Sequence, residues 1–436
     1  MNSYNIEDLT CKFKQNTSSV IIFGCGIEGK LVLHALQLHD IKVSYFIDSG
    51  KKLQGKYYLG IKTISPEELA KLLPDAHIFI AHKYVMVAIE LLNKLKFKNI
   101  YNNMELFKSI DISKKIHSDE LNLYFEPVKL ERTIRLYNFN NIRELKKTEL
   151  NGSVKSNNTL VVNNIDIVIT ERCSMKCRDC ANLMQFYQKP KNNDMNLLIK
   201  SMDRLMDCVD HVYEFRVIGG DPFMNKEMYK LINKMVKYKN LESIVIYTNA
   251  KIIPQGENLA CLKNGKVRLQ ITDYGSSAAA DTWGYLREKH DEIVKLLTLN
   301  HVKFVSERVT VWKDTGKLEF IKETSKQIQE KFDNCCANDL FSLLDGILYK
   351  CPLSAHGTNL KAIPFDCNYD GVDLIDETIS LKNLKEKLID FYYNNKYVTA
   401  CSYCKGRGYG KEKIGTAAPI NAAIQTKKAL PLFVQF

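Results

Sequence analysis

Two long stretches of the chain alternate between strand-like and helix-like segments. In the first stretch, the apolar run Val20–Phe23 leads into a glycine-rich turn, a helical pattern at residues 30–38 and an apolar strand at residues 42–47. Further along, Ser65 and Pro66 mark the start of another helix, because serine caps helices and proline suits their first turn. Strands connected through helices pair in parallel. This stretch therefore predicts an α/β fold with a parallel sheet covered by helices.

The second stretch begins near residue 160 and repeats the same βα unit several times. Helical patterns separate its apolar strand candidates, which lie at residues 165–169, 215–218, 244–247, 267–271 and 302–305. Repeated βα units of this length predict a partial βα barrel. Because such barrels carry their functional groups at the C-terminal ends of the strands, we expect the site of this protein there.

Composition limits the class of protein. The chain has 436 residues, of which 45% are hydrophobic and 26% charged, and its apolar runs are far shorter than the roughly 18 residues of a membrane span. Its N-terminus lacks a signal-peptide pattern, so we predict a cytoplasmic globular protein with no membrane partner. The net charge of +12 is spread along the chain. This favours an anionic small-molecule substrate over nucleic acid, although a solvated basic surface is equally compatible with it.

The chain has thirteen cysteines, most of them in two groups. The first group is Cys173, Cys177 and Cys180, and the second is Cys335, Cys336, Cys351, Cys367, Cys401 and Cys404. Disulfides stabilise small secreted proteins, whereas grouped cysteines in a reducing compartment indicate metal binding or catalysis. We therefore expect such roles for both groups.

The first group has the spacing C-x-x-x-C-x-x-C and directly follows the strand candidate at residues 165–169. Its thiolates are expected at the mouth of the predicted barrel. A structural zinc ion normally takes a fourth cysteine or histidine, and this loop contains none. An iron–sulfur cluster that leaves one iron open to another ligand fits three thiolates better.

This arrangement resembles the radical S-adenosylmethionine (radical SAM) superfamily, in which the same cysteine spacing follows the first strand of a βα barrel. The G-G-D-P sequence that ends the second strand is similar to the G-G-E-P motif of that family, which binds the amino group of the cofactor's methionine. Polar residues that end the third and fourth strands match the family's contacts to ribose and carboxylate. The resemblance assigns cofactor binding to Gly219, Gly220, Asp221, Pro222, Asn249 and Thr272.

The resemblance implies a specific chemistry. The open iron would chelate the methionine of S-adenosylmethionine, and electron transfer to the sulfonium would release a 5′-deoxyadenosyl radical that abstracts a hydrogen atom from the substrate. A reducing electron donor such as a flavodoxin or ferredoxin is then required. The chain departs from the family at two positions: Asp179 stands where an aromatic residue is usual, and Asp221 is one methylene shorter than glutamate.

The second cysteine group supplies four thiolates, enough for another cluster or for a zinc site. The pattern C-x9-G-x4-C followed by C-x-x-C resembles the twitch domain, the single-cluster relative of the SPASM domain found after radical SAM barrels. The resemblance implies one auxiliary four-iron–four-sulfur cluster held by Cys336, Cys351, Cys401 and Cys404. Cys335 is the alternative to Cys336 as a ligand.

Cys367 has no place in that set, and it is either a packed core thiol or a hydrogen-atom donor. The role of Cys367 distinguishes two possible reactions. A substrate radical that loses an electron to the auxiliary cluster gives dehydrogenation, whereas a substrate radical that receives a hydrogen atom from a cysteine gives epimerisation. Our candidate catalytic residue is Cys367. The candidates for substrate contact are Tyr274, Arg308, Trp312 and His356.

The N-terminal glycines match a dinucleotide-binding fingerprint. Gly24, Gly26 and Gly29 lie between a strand and a helix, and Asp48 ends the next strand. Glycines let the backbone approach a phosphate at a helix N-terminus, and the carboxylate can accept ribose hydroxyls. The segment resembles the small Rossmann-like domains appended to enzymes of surface-sugar and glycan pathways. A nicotinamide is unnecessary beside a radical SAM centre, so we expect a nucleotide sugar here, or a docking role without a ligand.

The predicted fold is α/β with four segments. They are a Rossmann-like domain at residues 1–115, a connector at 116–160, a partial (β/α)6 radical SAM barrel at 161–330 and a small α+β iron–sulfur domain at 331–436. We favour an oxidoreductase or epimerase that acts on a carbohydrate, cyclitol or nucleotide sugar. The alternatives are a peptide- or protein-modifying enzyme of the same superfamily and a non-catalytic zinc or iron–sulfur protein.

Overall fold

The computed structural model describes residues 6–15, 19–81, 85–125, 159–275, 285–309, 311–315, 318–407 and 413–415, with scattered positions between 127 and 141. The chain forms two compact units, residues 1–156 and residues 157–436. In the described part of the chain, every helix is too short or too polar to cross a membrane.

Six strands form the main sheet of the first unit. Their bounds are β1 Val20–Phe23, β2 Val43–Ile47, β3 Tyr57–Tyr58, β4 Ile61–Ile64, β5 His77–Ile80 and β6 Asn99–Tyr101. The order is β3-β4-β2-β1-β5-β6, and every neighbouring pair is parallel except β3 with β4. Five parallel strands in this order make a doubly wound sheet. The prediction of a parallel α/β sheet is confirmed.

Helices pack on both faces of this sheet. They span Ile6–Gln15, Ile27–Gln37, Pro66–Leu72, Val85–Lys94 and Met104–Phe107. Because alternate residues of a strand point to opposite faces, β1 contributes to two cores. Ile22 packs in one hydrophobic cluster with Leu31, and Ile21 packs in the other with Leu69.

The predicted helix start at Ser65 is present in the structure. The Ser65 hydroxyl accepts a hydrogen bond from the Glu68 backbone N–H at 3.1 Å, and Pro66 occupies the first helical position. A short antiparallel hairpin of β7 (Ile116–Ser118) and β8 (Leu123–Phe125) follows the sheet in the chain.

The second unit is built on an eight-stranded sheet. Its first five strands are β9 Val161–Thr170, β10 His211–Gly219, β11 Leu241–Thr248, β12 Val267–Asp273 and β13 Phe304–Arg308. Each is parallel to the next, and all five overlap the predicted strands. The helices between them span Met195–Cys208, Met228–Met235, Gly256–Ala260 and Leu286–Leu299. The alternation read from the sequence is therefore real in this unit too.

The C-terminal segment extends the same sheet. Its strands are β14 Val311–Lys313, β15 Phe341–Leu344, β16 Ile347–Tyr349, β17 Gly371–Asp373 and β18 Lys413–Gly415, and its helices are Ser325–Asp333, Pro352–Asn359 and Leu381–Tyr393. β15 pairs in parallel with β9, and β16 and β17 add antiparallel strands beyond it. β14 and β18 form a separate antiparallel pair. The compact units thus divide after residue 156, and the four-segment boundaries stay a prediction.

Two ion pairs with little exposure connect strands of this sheet. Arg216 on β10 lies 2.6 Å from the Asp166 carboxylate on β9, and Arg268 on β12 lies 2.6 Å from the Glu214 carboxylate on β10. Burial raises the pKa of Asp166, and the Arg216 guanidinium opposes that rise. Buried charges of this kind are tolerated because each has its partner.

Candidate active site

The C-terminal ends of β9 to β12 meet at one cavity of about 550 Å³. Its lining includes Cys173, Cys177, Cys180, Gly219, Gly220, Asn249 and Thr272, all of which sequence analysis assigned to metal or cofactor binding. These residues come from four different strand ends, and the parallel sheet brings them to one edge. A volume of this size is typical of small-molecule sites, which span roughly 300–1,000 Å³.

The two glycines at the end of β10 allow its backbone to approach the cysteine loop. A Cβ atom on Gly219 would lie 2.1 Å from the Thr170 carbonyl oxygen, and Gly219 also has a φ of +146°. A Cβ on Gly220 would lie 2.0 Å from the Arg172 carbonyl oxygen and 2.8 Å from the Cys173 Cβ. Any side chain here would therefore displace the first cysteine of the triplet.

Asp221 lies behind the cavity wall and is fully buried. Its carboxylate accepts hydrogen bonds from the Thr248 hydroxyl at 2.9 Å, the Asn249 backbone N–H at 3.2 Å and the Phe223 backbone N–H at 3.0 Å. Burial raises the pKa of Asp221 to about 6, although these hydrogen bonds act to lower it. Asp221 thus joins the end of β10 to the end of β11, and Pro222 begins a short 3-10 turn beside it.

The three thiols of the triplet are little exposed to solvent. Burial raises the pKa of Cys173 to about 12 and also raises the pKa values of Cys177 and Cys180. The Asn249 amide donates to the Ser174 hydroxyl at 3.2 Å and lies 3.8 Å from the Cys173 sulfur, which ties the loop to the end of β11. A bound metal would be needed to hold these thiols as thiolates.

The donor set fits a cluster better than a single ion. Within the described residues, no three side chains of Cys, His, Asp or Glu converge as the ligands of one metal ion do. Thiolates of a four-iron cluster bind different irons and need no common point. Three sulfurs from one loop, beside a cavity that leaves room for a further ligand, match a cluster with one open iron.

Aromatic side chains line the cavity beside the cysteines. Tyr274 and Trp312 pack edge to face with ring centres 6.0 Å apart, in a cluster that also contains Met175 and the three thiols. Burial, followed by the nearby cysteines, raises the pKa of Tyr274 well above its usual range, so its hydroxyl stays protonated. Both aromatics were predicted as substrate contacts, and the structure places both at the cavity.

Four thiols gather at a second cavity. Cys335, Cys351, Cys401 and Cys404 line one small apolar cavity. Burial raises the pKa of the Cys351 thiol, and the thiols of Cys401, Cys335 and Cys404 raise it further. These four side chains are therefore close enough to interact as charges.

Backbone N–H groups point at three of these sulfurs. The sulfur of Cys335 accepts from Ala337 at 3.4 Å, that of Cys351 from Ser354 at 3.4 Å, and that of Cys404 from Gly406 at 3.2 Å. Cys351 is also the N-cap of the helix Pro352–Asn359. Such N–H groups stabilise thiolate sulfur and tune iron–sulfur clusters, so the donor set fits an auxiliary cluster.

The structure separates the two candidates for the fourth ligand of this set. Cys336, the predicted ligand, is exposed and lies at the larger cavity beside the cysteine triplet. Cys335, the alternative, takes its place among the four thiols. Adjacent residues in the turn after the helix Ser325–Asp333 point in different directions, and spacing alone cannot distinguish them.

The predicted catalytic residue Cys367 is not at the cavity. It is exposed in a turn closed by hydrogen bonds from the Tyr369 and Asp370 backbone N–H groups to the Asp366 carbonyl, at 3.0 and 2.7 Å. The described lining of the cavity does not include it. The structure therefore gives no support to Cys367 as the hydrogen-atom donor.

Two of the four predicted substrate contacts also lie elsewhere. His356 is fully buried, and its Nδ1 is 2.8 Å from the Tyr187 hydroxyl, so it belongs to the core. Arg308 is exposed at the end of β13 and is not part of the cavity wall. Arg407 is a cavity residue that sequence analysis missed. The only available signal was its position three residues after the last cysteine.

The glycine loop of the first unit has the predicted local geometry. Gly29 approaches so closely that a Cβ atom there would lie 2.1 Å from the Gly24 carbonyl oxygen. The Asp48 carboxylate accepts hydrogen bonds from the backbone N–H groups of Cys25 at 3.3 Å and Gly50 at 2.7 Å. Gly26 is the N-cap of the helix Ile27–Gln37. The loop, the helix N-terminus and the carboxylate are therefore close together, as the fingerprint requires.

Comparison with known proteins identifies parts of both units. Residues 16–98 match the family described as "C2185-like, N-terminal". Residues 162–267 match the "4Fe-4S single cluster domain" family, a range that contains the cysteine triplet and the glycine pair.

Curated relatives match about a fifth of the chain. A GTP 3′,8-cyclase from Campylobacter lari is 28% identical over 101 residues, which are 22% of this chain and 30% of the relative. A GTP 3′,8-cyclase from Clostridium acetobutylicum is 32% identical over 95 residues, which are 21% of this chain and 30% of the relative. The chain thus spans about 30% of the length of these relatives.

Solved structures with partial similarity include two that contain AdoMet. BtrN in complex with AdoMet and 2-DOIA has a TM-score of 0.37 and 15% identity, covering 57% of this chain and 94% of BtrN. The structure of anSMEcpe with AdoMet and the Cp18Cys peptide has a TM-score of 0.36 and 14% identity, covering 54% of this chain and 84% of anSMEcpe.

A loop of three thiols that are little exposed to solvent, in a region that matches a four-iron–four-sulfur family, defines an iron–sulfur domain. The spacing of those cysteines and the sequence matches to GTP 3′,8-cyclases then give its superfamily. The central domain belongs to the radical SAM superfamily, whose cofactors are a four-iron–four-sulfur cluster and S-adenosylmethionine.

Proposed function

We propose that this protein is a radical SAM enzyme that removes a hydrogen atom from a carbohydrate, cyclitol or nucleotide sugar. The outcome is dehydrogenation or epimerisation at a carbon that carries a hydroxyl group. The observation that carries the proposal is the single cavity in which the cysteine triplet, the glycine pair and the ends of β11 and β12 meet.

The lining of the cavity supports a polar substrate. Trp312 and Tyr274 offer flat apolar faces of the kind that stack on sugar rings, and Arg407 offers a positive charge for an anionic group. The net charge of +12 also favours an anionic substrate.

The bound cluster and S-adenosylmethionine supply an adenosyl radical able to break a substrate C–H bond. The chain positions them: Cys173, Cys177 and Cys180 hold the cluster, and the glycine pair lets the end of β10 approach the cysteine loop and line the cavity beside it. Asp221 acts as a positioning residue, because its buried carboxylate fixes the backbone of Asn249 at the cavity wall. The aromatic pair limits the access of water to the reacting atoms.

We further assign the second set of thiols to one auxiliary four-iron–four-sulfur cluster, with Cys335, Cys351, Cys401 and Cys404 as ligands. Their common cavity and the three N–H groups aimed at their sulfurs support this set. Reduction of the clusters requires a one-electron donor of the flavodoxin or ferredoxin class.

The first unit is proposed to bind a nucleotide sugar at its glycine loop. Asp48 and the N-terminus of the helix Ile27–Gln37 support this, since they lie together as ribose and phosphate recognition requires. Thermal shift with nucleotide sugars, compared between the wild type and Asp48→Asn, tests it. An equal shift in both proteins would contradict a role for this loop.

The enzyme assay is anaerobic and driven by dithionite. The reconstituted protein is expected to convert S-adenosylmethionine to 5′-deoxyadenosine and to carry about eight irons per chain. Deuterated sugars, cyclitols, nucleotide sugars and, as the competing class, peptides are then screened for deuterium transfer into 5′-deoxyadenosine. The control replaces all three cysteines of the triplet by alanine and should form no 5′-deoxyadenosine.

Two results would contradict the proposal. Zinc in place of iron, with no cleavage of S-adenosylmethionine, would make the protein a non-catalytic metal protein. Deuterium transfer only from peptides would show that the protein is a peptide-modifying enzyme of the superfamily.

A further inference from the structure

Two adjacent cysteines face two different cavities of the second unit. Cys335 lines the small cavity with the thiols of Cys351, Cys401 and Cys404, and its sulfur accepts the Ala337 backbone N–H. Cys336 lines the larger cavity, whose wall also carries the cysteine triplet. A single peptide bond therefore separates a thiol assigned to the auxiliary cluster from a thiol at the reaction cavity.

Cys336 differs from the other thiols at this cavity in its exposure. Cys173, Cys177 and Cys180 are mostly buried and are committed to the cluster, whereas Cys336 is exposed toward the open space. Two tyrosines also line this wall. The Arg216 guanidinium lies over the Tyr247 ring at 5.5 Å, and Tyr274 is packed among the thiols of the triplet and makes a side-chain hydrogen bond with Thr272. Cys336 is thus the thiol of this cavity that remains available to a substrate.

Cys336 also enters the cavity from its own structural element. The groups that hold the cofactor come from the ends of β9 to β12, while Cys336 comes from the segment between the helix Ser325–Asp333 and β15. Inversion of a carbon centre needs hydrogen removal and hydrogen delivery by two separately placed groups. The cavity provides them from two different parts of the chain.

We propose that Cys336 is a catalytic residue that returns a hydrogen atom to the substrate radical, so that the reaction is an epimerisation. This inference rests on the proposed function and takes over the role that sequence analysis gave to Cys367. The S–H bond of Cys336 breaks, a C–H bond forms at the substrate carbon, and the sulfur becomes a thiyl radical. One electron from the flavodoxin- or ferredoxin-class donor and one proton from solvent restore the thiol. The substrate is neither oxidised nor reduced overall.

Metal analysis separates the two neighbours without any turnover. Cys335→Ser is expected to lose the auxiliary cluster, so that about four of about eight irons remain after reconstitution. Cys336→Ser, the matched control at the next position, should keep all of them. The reverse pattern would overturn the assignment and make Cys336 the ligand.

Alkylation of the holoenzyme tests whether Cys336 shares the cofactor's cavity. Anaerobic iodoacetamide treatment followed by peptide mass spectrometry should label Cys336 together with Cys11 and Cys367, the other exposed cysteines. Addition of S-adenosylmethionine should slow labelling at Cys336 alone. An unchanged rate at Cys336, with Cys11 and Cys367 as internal references, would place its thiol outside the cavity and overturn the proposal.

The third readout uses the substrate from the deuterium screen. In D2O the wild type should form an epimer with one deuterium at the inverted carbon, and Cys336→Ser should still form 5′-deoxyadenosine without the epimer. A wild-type product that has lost two hydrogens would overturn the proposal while leaving the radical SAM activity intact. A wild type that forms no 5′-deoxyadenosine would instead contradict the proposed function, and the iron and alkylation results would still decide where Cys336 lies.

Discussion

Replacing Gly220 by alanine is the most direct test of how the cavity is built. The added Cβ would lie 2.0 Å from the Arg172 carbonyl oxygen and 2.8 Å from the Cys173 Cβ. Non-bonded carbon contacts are normally about 3.5–4.0 Å, so the loop must retreat by about 1.5 Å. That movement also strains the hydrogen bond from the Asp221 N–H to the Arg172 carbonyl, now 2.9 Å long.

The expected cost follows from these contacts. Overpacking costs about 1–3 kcal/mol and the weakened hydrogen bond about 1 kcal/mol, so we expect Gly220→Ala to lose about 2–4 kcal/mol of unfolding free energy. Misplacement of a reacting group by about 1 Å can cost a factor of about 100 in rate. Formation of 5′-deoxyadenosine should therefore fall by about two orders of magnitude, because Cys173 no longer lies where the cluster needs it.

Gly265 provides the matched control, since a Cβ there meets no atom within 4 Å. Urea denaturation, iron content after reconstitution and the rate of 5′-deoxyadenosine formation are measured for Gly220→Ala, Gly265→Ala and the wild type. Gly265→Ala should match the wild type in all three. If Gly220→Ala instead has the same stability, iron content and rate as the wild type, the close approach of this glycine does not position the cysteine loop.

Three further predictions concern stability. Burial holds the pKa of His356 at about 3, below its usual 6.5, so its neutral form stabilises the fold above pH 6.5 and this contribution is lost as pH falls toward 3. Between pH 7 and pH 5, the unfolding free energy of His356→Phe, measured by urea denaturation, should therefore fall by about 2 kcal/mol less than that of the wild type. Equal falls in the two proteins would contradict this prediction. Arg268→Met removes the guanidinium that lies 2.6 Å from the buried Glu214 carboxylate and should cost about 3–5 kcal/mol of unfolding free energy, with partial recovery on adding Glu214→Gln. A loss below about 1 kcal/mol would contradict a stabilising role for this ion pair. Gly29→Ala should lower the melting temperature of the first unit far more than Gly26→Ala. A Cβ at position 26 would contact only a glutamate side chain, at 3.3 Å. Equal effects of the two substitutions would contradict the close packing of this loop.

Most of the second unit's sheet could be predicted because apolar strands and amphipathic helices alternate with clear periods. The cofactor positions followed from the same alternation, since a residue at a strand end must lie at one edge of a parallel sheet. Side-chain direction inside irregular segments could not be predicted in this way. Cys335 and Cys336 are adjacent in sequence, and only the turn after the helix Ser325–Asp333 separates their thiols. The exposed position of Cys367, in a turn that is not part of the cavity lining, could not be predicted for the same reason.

The sheet in which β15 pairs with β9 limits how this chain can be divided for expression. A fragment cut near residue 330 would retain the cysteine triplet but strip β9 of its hydrogen-bonded neighbour. The exposed edge would include Ile165 and Ile167, which are buried in the intact chain. Unpaired apolar edges of this kind promote aggregation. Recombinant work on the radical SAM centre is therefore expected to need everything from residue 157 onward, whereas a boundary between residues 156 and 157 separates the two compact units.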